Sequence, residues 1–251
     1  IEYLYSAISK TMNDIFGYMR VIEEKTVDVA NKASIISKMQ DNIITSFADM
    51  VESRDENTGS HIKRTQSFVR LVSEEMNRNG KYKGTMSRDY INKLWKSAQL
   101  HDVGKIRISD TILNKPGKLT PEEFAIMKTH AAAGGEILTR VLSGIDGDNY
   151  LSEAQNMAVC HHEWWNGSGY PRGLRGEAIP LSARIMAIAD VFDALVSKRS
   201  YKGPLSFDDA VAIIKNESGS HFDPDVVEAF LNSLEKIREV ESISDKSAAA
   251  G

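Results

Sequence analysis

The chain has 251 residues, of which 41% are hydrophobic and 26% charged, a composition typical of folded globular proteins. A net charge of -4 and a pI near 5.9 give no broad basic surface for duplex nucleic acid, so a phosphate ligand must be held by local Lys and Arg or by metal. No run of 18 apolar residues occurs, which predicts no membrane span, and the single cysteine, Cys160, fits a structural thiol in a reducing cytoplasm.

The first segment, residues 1–53, carries an apolar residue at every seventh position from Ile1 to Met50. A companion seam four residues later is weaker, because Thr26 and Gln40 interrupt it. This strict repeat predicts a helix of roughly 75 to 80 Å that pairs in a coiled coil, and we expect a homodimer formed through it. The alternative is two helices folded back on each other within one chain.

From residue 54 to about 238, apolar spacing predicts one helix after another and no strand, so the predicted fold class is all-α. The first of these helices covers residues 61–77, and Ser87 is predicted to cap the second, with His101 and Asp102 at its end. Further helices are predicted from Thr120, over residues 151–160, from Ser182 and from Asp223.

Three regions follow from these patterns: an N-terminal signalling or dimerisation helix at 1–53, a helical domain at 54–238 and a disordered tail at 239–251. The chain begins with Ile1 and shows no secretory pattern. We therefore expect a fragment of a longer protein that lacks an upstream sensory or receiver domain, which itself could be anchored in a membrane.

Five of the six histidines and two carboxylates occur where they could line one metal site. These candidates are His61, His101, Asp102, His130, His161, His162 and Asp190. Imidazoles and carboxylates bind divalent Fe, Mn, Co, Ni or Zn, and seven candidates exceed the protein ligands of one ion, so at least two ions are expected. A carboxylate can bridge two ions, which makes Asp102 the natural link, and Lys105 follows it at a distance suited to a phosphate oxygen.

A glycine-rich loop follows the adjacent histidines in the string HHEWWNGSGYP. This loop places Tyr170 either as a ring for stacking and a hydroxyl donor, or as a core residue of a turn. The sixth histidine, His221, is predicted to be structural, because it precedes the cap of a helix at Asp223.

Three long strings occur in order: HDVGKIRISDTILNKPGKLTPEEFAIMKTH, HHEWWNGSGYPRGL and IPLSARIMAIADVFDALVSKRSYK. Together they resemble the HD-GYP family, a bacterial branch of the HD phosphohydrolase superfamily, over about residues 50–235. The resemblance implies a helical bundle around a metal centre, with residues 54–238 as the catalytic domain. It also implies hydrolysis of cyclic di-GMP to linear pGpG, while some members continue to GMP or accept cyclic GMP-AMP.

The resemblance implies that all seven candidates are metal ligands and that Lys105 is an active-site lysine. It places Tyr170 in the naming tripeptide, Asp193 near the site, and Arg199 and Lys202 at substrate phosphates. We predict that the substrate is bound by these four residues and Lys105. We predict that Asp102 bridges the two ions, and that Asp102 and Lys105 carry catalysis. His61, His101 and Asp190 would share one ion, and the other ligands are His130, His161 and His162.

The family members with three metals have a glutamate four residues before the first histidine ligand. Asn57 stands there in this chain, with Glu56 one residue away, so we predict two ions, Fe or Mn before Co, Ni or Zn. Two other functions remain open: a general HD phosphohydrolase acting on other nucleotides, and a signalling module that binds a cyclic dinucleotide or a protein without turnover.

Overall fold

The computed structural model describes residues 1–54, 61–78, 81–143, 150–197 and 203–249, with side chains up to 243. These residues form α-helices and two 3₁₀ turns, with no strand beyond an isolated bridge, so the predicted all-α class is confirmed. The helices are α1 (Glu2–Glu52), α2 (His61–Arg78), α3 (Arg88–Ala98), α4 (Asp110–Leu113), α5 (Pro121–Leu142), α6 (Leu151–Cys160), α7 (Leu181–Val196), α8 (Phe207–Asn216), α9 (Pro224–Asn232) and α10 (Leu234–Ala249). The 3₁₀ turns cover Val103–Arg107 and Gly176–Ala178.

The chain divides into two compact units, Ile1–Phe47 and Ala48–Gly251, so the second unit begins a few residues before the predicted boundary at 53. The helix α1 is continuous, which rules out the alternative of two helices folded back on each other within its length. Its heptad positions are exposed: Ile8, Ile15, Ile22, Val29, Ile36, Ile43 and Met50. Pairing of this stripe with a second chain stays a prediction.

The core of the second unit joins α2, α3, α7, α8 and α9 around large buried side chains. Phe192 of α7 contacts Phe68, Phe207 and Phe230 edge-on, with ring centroids 5.5, 5.4 and 5.0 Å away. Edge-to-face ring contacts add to the free energy of apolar burial. This core fixes α2 and α7 together, and both helices also carry candidate ligands.

The predicted helix starts are largely confirmed, since their caps satisfy amide groups that the first helical turn leaves free. The Ser87 side chain accepts a hydrogen bond from the Tyr90 amide, and the Asp223 side chain accepts one from the Asp225 amide. At α5, Thr120 and Glu123 form a reciprocal capping box. The helix α7 begins at Leu181, one residue before the predicted start.

Two predicted helix ends are wrong. The helix α3 stops at Ala98, so His101 and Asp102 lie in the turn that leads into the 3₁₀ turn rather than on the helix. After α9, the chain continues as α10 through Ala249, so the tail predicted to be disordered from 239 is helical to that residue. None of the helices within the described ranges is long and apolar enough to cross a membrane.

Candidate metal centre

The seven predicted ligands converge on one place in the second unit. They are supplied by five segments of the fold, mostly at a helix end. They are His61 at the start of α2, His101 and Asp102 after α3, His130 within α5, His161 and His162 after α6, and Asp190 within α7. The cluster is therefore built by tertiary packing of five segments, and no single string could form it alone.

Four of the imidazole rings are held through Nδ1. Three rings hydrogen-bond at 2.8 Å to a backbone carbonyl of the preceding turn: His101 to Ala98, His130 to Met127 and His161 to Met157. The fourth, His61, lies 2.7 Å from Asp193 Oδ2. Because a carbonyl or carboxylate oxygen only accepts, Nδ1 carries the proton and Nε2 is the nitrogen left to bind metal.

Several polar atoms at this place are buried and have no hydrogen-bond partner among the described residues. They are Nε2 of His101, His130 and His161, Oδ1 of Asp102 and Oε1 of Glu52. Leaving one buried polar atom without a partner costs about 1–3 kcal/mol of folding free energy. A group of such atoms is therefore stable only when another species binds their lone pairs. All are lone-pair donors of the type that divalent transition metals bind, and the residues therefore fit a metal cluster.

The candidate ligands separate into two groups, each with ligand atoms within 4.8 Å of one another. One group is His61, His101 and Asp190, and the other is Asp102, His130, His161 and His162. Asp102 faces both, as Oδ1 is 3.3 Å from His130 Nε2 while Oδ2 is 3.4 Å from His101 Nε2. This is the geometry of a carboxylate placed to bridge two ions.

The two groups differ in their electrostatics. Burial lowers the pKa of His161 to about 4 and that of His162 well below its usual value. Burial also acts against protonation of His101, but the charges of Asp102 and Asp190 outweigh it and raise the His101 pKa to about 9. His161 and His162 are thus neutral near pH 7, while His101 holds a proton that a cation would displace.

Lys105 and Tyr170 lie at the cluster, as predicted from the sequence. Lys105 Nζ is 2.7 Å from Asp102 Oδ2, and together with His101 it keeps the Asp102 pKa well below its usual range despite burial. The Tyr170 ring stacks on His162 with centroids 4.7 Å apart. Burial raises the pKa of the Tyr170 hydroxyl, which therefore stays protonated and able to donate.

The loop that presents Tyr170 is fixed by contacts that leave little room. The Tyr170 amide donates to the His162 carbonyl at 3.1 Å, and a Cβ on Gly169 would overlap the backbone of Trp164 and His162. Glu163, which is buried, accepts hydrogen bonds from the amides of Arg172 and Leu174 at 2.7 and 3.0 Å. The position of the ring is thus set by the backbone.

Asp193 lies behind the cluster rather than facing a substrate. The residue is 1% exposed, and its oxygens contact His61 Nδ1 and Arg64 at 2.7 and 2.5 Å. This geometry does not fit the predicted substrate contact and makes Asp193 a positioning residue for His61.

Four other predicted residues fall outside the described residues: Asn57, Glu56, Arg199 and Lys202. The predicted structural role of His221 agrees with its contacts, since its Nδ1 is 2.8 Å from Glu217 and its ring stacks on Trp164.

Three residues at the site were missed from the sequence: Glu52, Arg64 and Glu163. Glu163 stands between the histidine pair and the tryptophans, which was a usable signal. Arg64 falls on the same side of α2 as His61, three residues away, where helical spacing places neighbours. Glu52 ends a segment read only as a heptad repeat, so no spacing rule pointed to it.

A family model for the HD domain matches residues 45–226. The chain belongs to the HD-domain family. The fold agrees, since the solved structure of a cyclic GMP-AMP specific phosphodiesterase from Vibrio cholerae aligns with a TM-score of 0.53 at 22% identity, over 78% of this chain and 48% of that one. An HD-GYP protein from Bdellovibrio bacteriovorus aligns with a TM-score of 0.51 at 20% identity, over 71% of this chain and 54% of that one.

Curated relatives place this HD domain among proteins named as cyclic dinucleotide phosphodiesterases. A cyclic di-GMP phosphodiesterase from Vibrio cholerae is 45% identical over 89% of this chain and 46% of its own length. A cyclic di-GMP phosphodiesterase from Thermotoga maritima is 40% identical over 83% of this chain and 56% of its own length. A 3'3'-cGAMP-specific phosphodiesterase from Vibrio cholerae is 39% identical over 75% of this chain and 34% of its own length. These relatives confirm the HD-GYP resemblance, and the chain spans about half the length of the first two.

Proposed function

We propose that the protein is a metal-dependent phosphodiesterase that hydrolyses cyclic di-GMP to linear pGpG, and further to GMP where the linear product rebinds. The observation that carries this proposal is Asp102, whose two oxygens each face a separate group of imidazole ligands. A carboxylate shared in this way suits a binuclear site, and many enzymes that cleave phosphate esters use such a site. Relatives named for this activity support the choice of substrate.

Two bound divalent cations would supply Lewis acidity, which makes water nucleophilic near neutral pH and neutralises charge on the phosphodiester. The chain contributes the positions of these cations. His61, His101 and Asp190 would hold one, and the other would be held by His130, His161 and His162. Iron or manganese suits this nitrogen and oxygen set, and cobalt, nickel and zinc are alternatives.

Lys105 and Tyr170 act on the substrate side of this proposal. The Lys105 ammonium, already beside Asp102, offsets negative charge on the attacked phosphate or on the departing 3' oxygen. Tyr170 presents a protonated hydroxyl and a ring next to His162. Arg199 and Lys202 are proposed to hold the second phosphate of the cyclic dinucleotide.

The assembly around this domain is also a proposal. The exposed apolar stripe of α1 supports a homodimer formed through that helix. The length of the relatives supports an upstream sensory or receiver domain beside this one in the whole protein. The cytoplasmic location stays a prediction from the use of cysteine.

The proposal is tested by loading metal-free protein with Mn²⁺, or anaerobically with Fe²⁺, and separating the products of cyclic di-GMP by chromatography. We expect pGpG to appear and to be absent for Asp102→Ala, which removes the shared ligand. A binding module would retain cyclic di-GMP unchanged, and a general phosphohydrolase would cleave other nucleotides in preference to it. Either result would contradict the proposal.

Cyclic GMP-AMP is a second candidate substrate, because a relative that is 39% identical is named for it. The same chromatography with equal concentrations of both cyclic dinucleotides measures the ratio of their kcat/KM values. We expect cyclic di-GMP to be preferred, since the relatives with 45% and 40% identity are named for it.

A further inference from the structure

We propose that Glu52 is a fifth protein ligand of the ion held by His61, so that the two halves of the centre differ in charge and donor type. This inference rests on the proposed metal centre, but it does not depend on the substrate. None of the sequence strings that identify the family contains Glu52. Its burial, its oxygen without a hydrogen-bond partner among the described residues and its closeness to two other candidate ligands support this role.

Glu52 is an unusual residue to find buried. It is the last residue of α1, it is only 3% exposed, and its Oε1 has no hydrogen-bond partner in the described part of the chain. Glutamate is rarely buried unless its charge is paired or bound to metal, because removing a carboxylate from water costs several kcal/mol. A cation bound at the neighbouring cluster would compensate this cost.

The last turn of α1 is anchored so that Glu52 stays at this place. Ala48 and Val51 on the same turn are buried. Two residues later, the Arg54 guanidinium donates hydrogen bonds at 3.0 Å to the carbonyls of Ile106 and Ile108, in the segment that follows Asp102. These bonds tie the end of α1 to the segment that carries Asp102 and Lys105.

The geometry points to metal as the partner of Glu52. Oxygen or nitrogen atoms of Glu52, His61 and Asp102 lie within 4.8 Å of one another, the same separation found within the two main ligand groups. Three donors this close suit a single cation, which brings a positive charge between two carboxylates that would otherwise repel.

A lone-pair count decides which ion Glu52 binds. The Nδ1 of His61 is taken by Asp193, so this ring has one nitrogen for metal, Nε2. That Nε2 also lies 3.9 Å from Asp190 Oδ1, within the group of His61, His101 and Asp190. One nitrogen lone pair binds one ion, so Glu52 joins the ion of that group and does not create a third.

This assignment makes the two ions chemically different. The ion near Glu52 would have three carboxylates and two imidazoles, and the other would have Asp102 and three imidazoles. Carboxylate oxygens favour harder cations such as Mn²⁺, whereas imidazoles favour later transition metals. The first position should therefore depend on Glu52 for its affinity and its selectivity, while the second should not.

The test is a titration of metal-free protein with Mn²⁺, following free Mn²⁺ by electron paramagnetic resonance, with Glu52→Gln as the variant. Glutamine keeps the shape but removes the charge. We expect two Mn²⁺ per chain in the wild type, and in the variant one ion of unchanged affinity and one bound about tenfold more weakly or worse. Asp49→Asn, an exposed change in the same part of α1, should behave as the wild type.

The retained second ion shows that the variant is folded, because its ligands come from α5, α6 and the turn after α3. Two ions at wild-type affinity in Glu52→Gln would overturn the inference. Loss of only a third ion, or loss of both ions together, would overturn it too, since neither assigns Glu52 to the ion of His61. The readout contains no nucleotide, so an error in the proposed substrate leaves this result unaffected.

Discussion

His61 shows how a candidate metal ligand depends on residues outside the cluster itself. Its Nδ1 is held by Asp193, and Asp193 is held in turn by Arg64 at 2.5 and 2.9 Å. The Asp193 pKa is lowered: burial opposes ionisation, but the bonds from His61 and Arg64 outweigh it. The carboxylate is therefore charged and fixes both the tautomer and the direction of the His61 ring.

Replacing Asp193 by Asn should weaken metal binding without touching the metal. The amide cannot accept from both partners as a carboxylate does, so His61 loses its fixed tautomer and Arg64 is left incompletely paired. We expect a drop of about 10–100-fold in affinity for the ion at His61, measured by metal titration. Asp208→Asn makes the same change at an exposed carboxylate on α8 and serves as the matched control. Unchanged metal affinity in Asp193→Asn would contradict the positioning role.

The sequence allowed the candidate ligands, which the structure brings together, to be selected because histidines within long, specific strings are rarely accidental. It did not allow Glu52 or the role of Asp193 to be predicted. The first is an acidic residue at the end of a heptad segment, and the second differs from Asp190 only in being one helical turn further along α7. Which carboxylate faces the metal depends on tertiary packing, which spacing alone does not report.

At the scale of elements, the 3₁₀ turn that follows Asp102 packs unusually close to α5. A Cβ on Gly104 would overlap the carbonyl oxygen of His130 and the amide nitrogen of Gly134. Both are backbone atoms of a helix and cannot move aside easily. Glycine at this position therefore sets how near Asp102 comes to His130.

Gly104→Ala should push the 3₁₀ turn away from α5. We expect a loss of about 1–3 kcal/mol in the free energy of unfolding, measured with urea, together with weaker metal binding. Gly84→Ala is the control, because a Cβ there meets nothing within 4 Å. Equal stability of the two variants would show that the close contact does not constrain the site.

Helix starts were easier to predict than helix ends. Thr120, Ser87 and Asp223 each carry a side-chain oxygen that caps free amides, which is a local signal. The end of α3 at Ala98 and the continuation through α10 have no comparable residue, so these boundaries depend on what the segments pack against.

At the scale of the whole molecule, the unit Ile1–Phe47 presents an apolar stripe to solvent along α1. The proposed dimer would bury this stripe. The double change Ile15→Glu and Ile22→Glu places two charges in this apolar stripe. We expect the molar mass from light scattering to fall from that of a dimer to that of a monomer. Glu24→Lys, outside the stripe, should leave the mass unchanged. A double variant that remains dimeric would exclude α1 as the dimer element.

We propose that this HD domain is a phosphodiesterase because two metal ions bind to the seven predicted ligands and Glu52 and share Asp102. The most direct measurement follows the initial rate of cyclic di-GMP hydrolysis while Mn²⁺ is added stepwise to metal-free protein. We predict that the rate stays low through the first equivalent and rises as the second ion binds. Full activity in metal-free protein, or a rate that saturates at one ion per chain, would contradict the account.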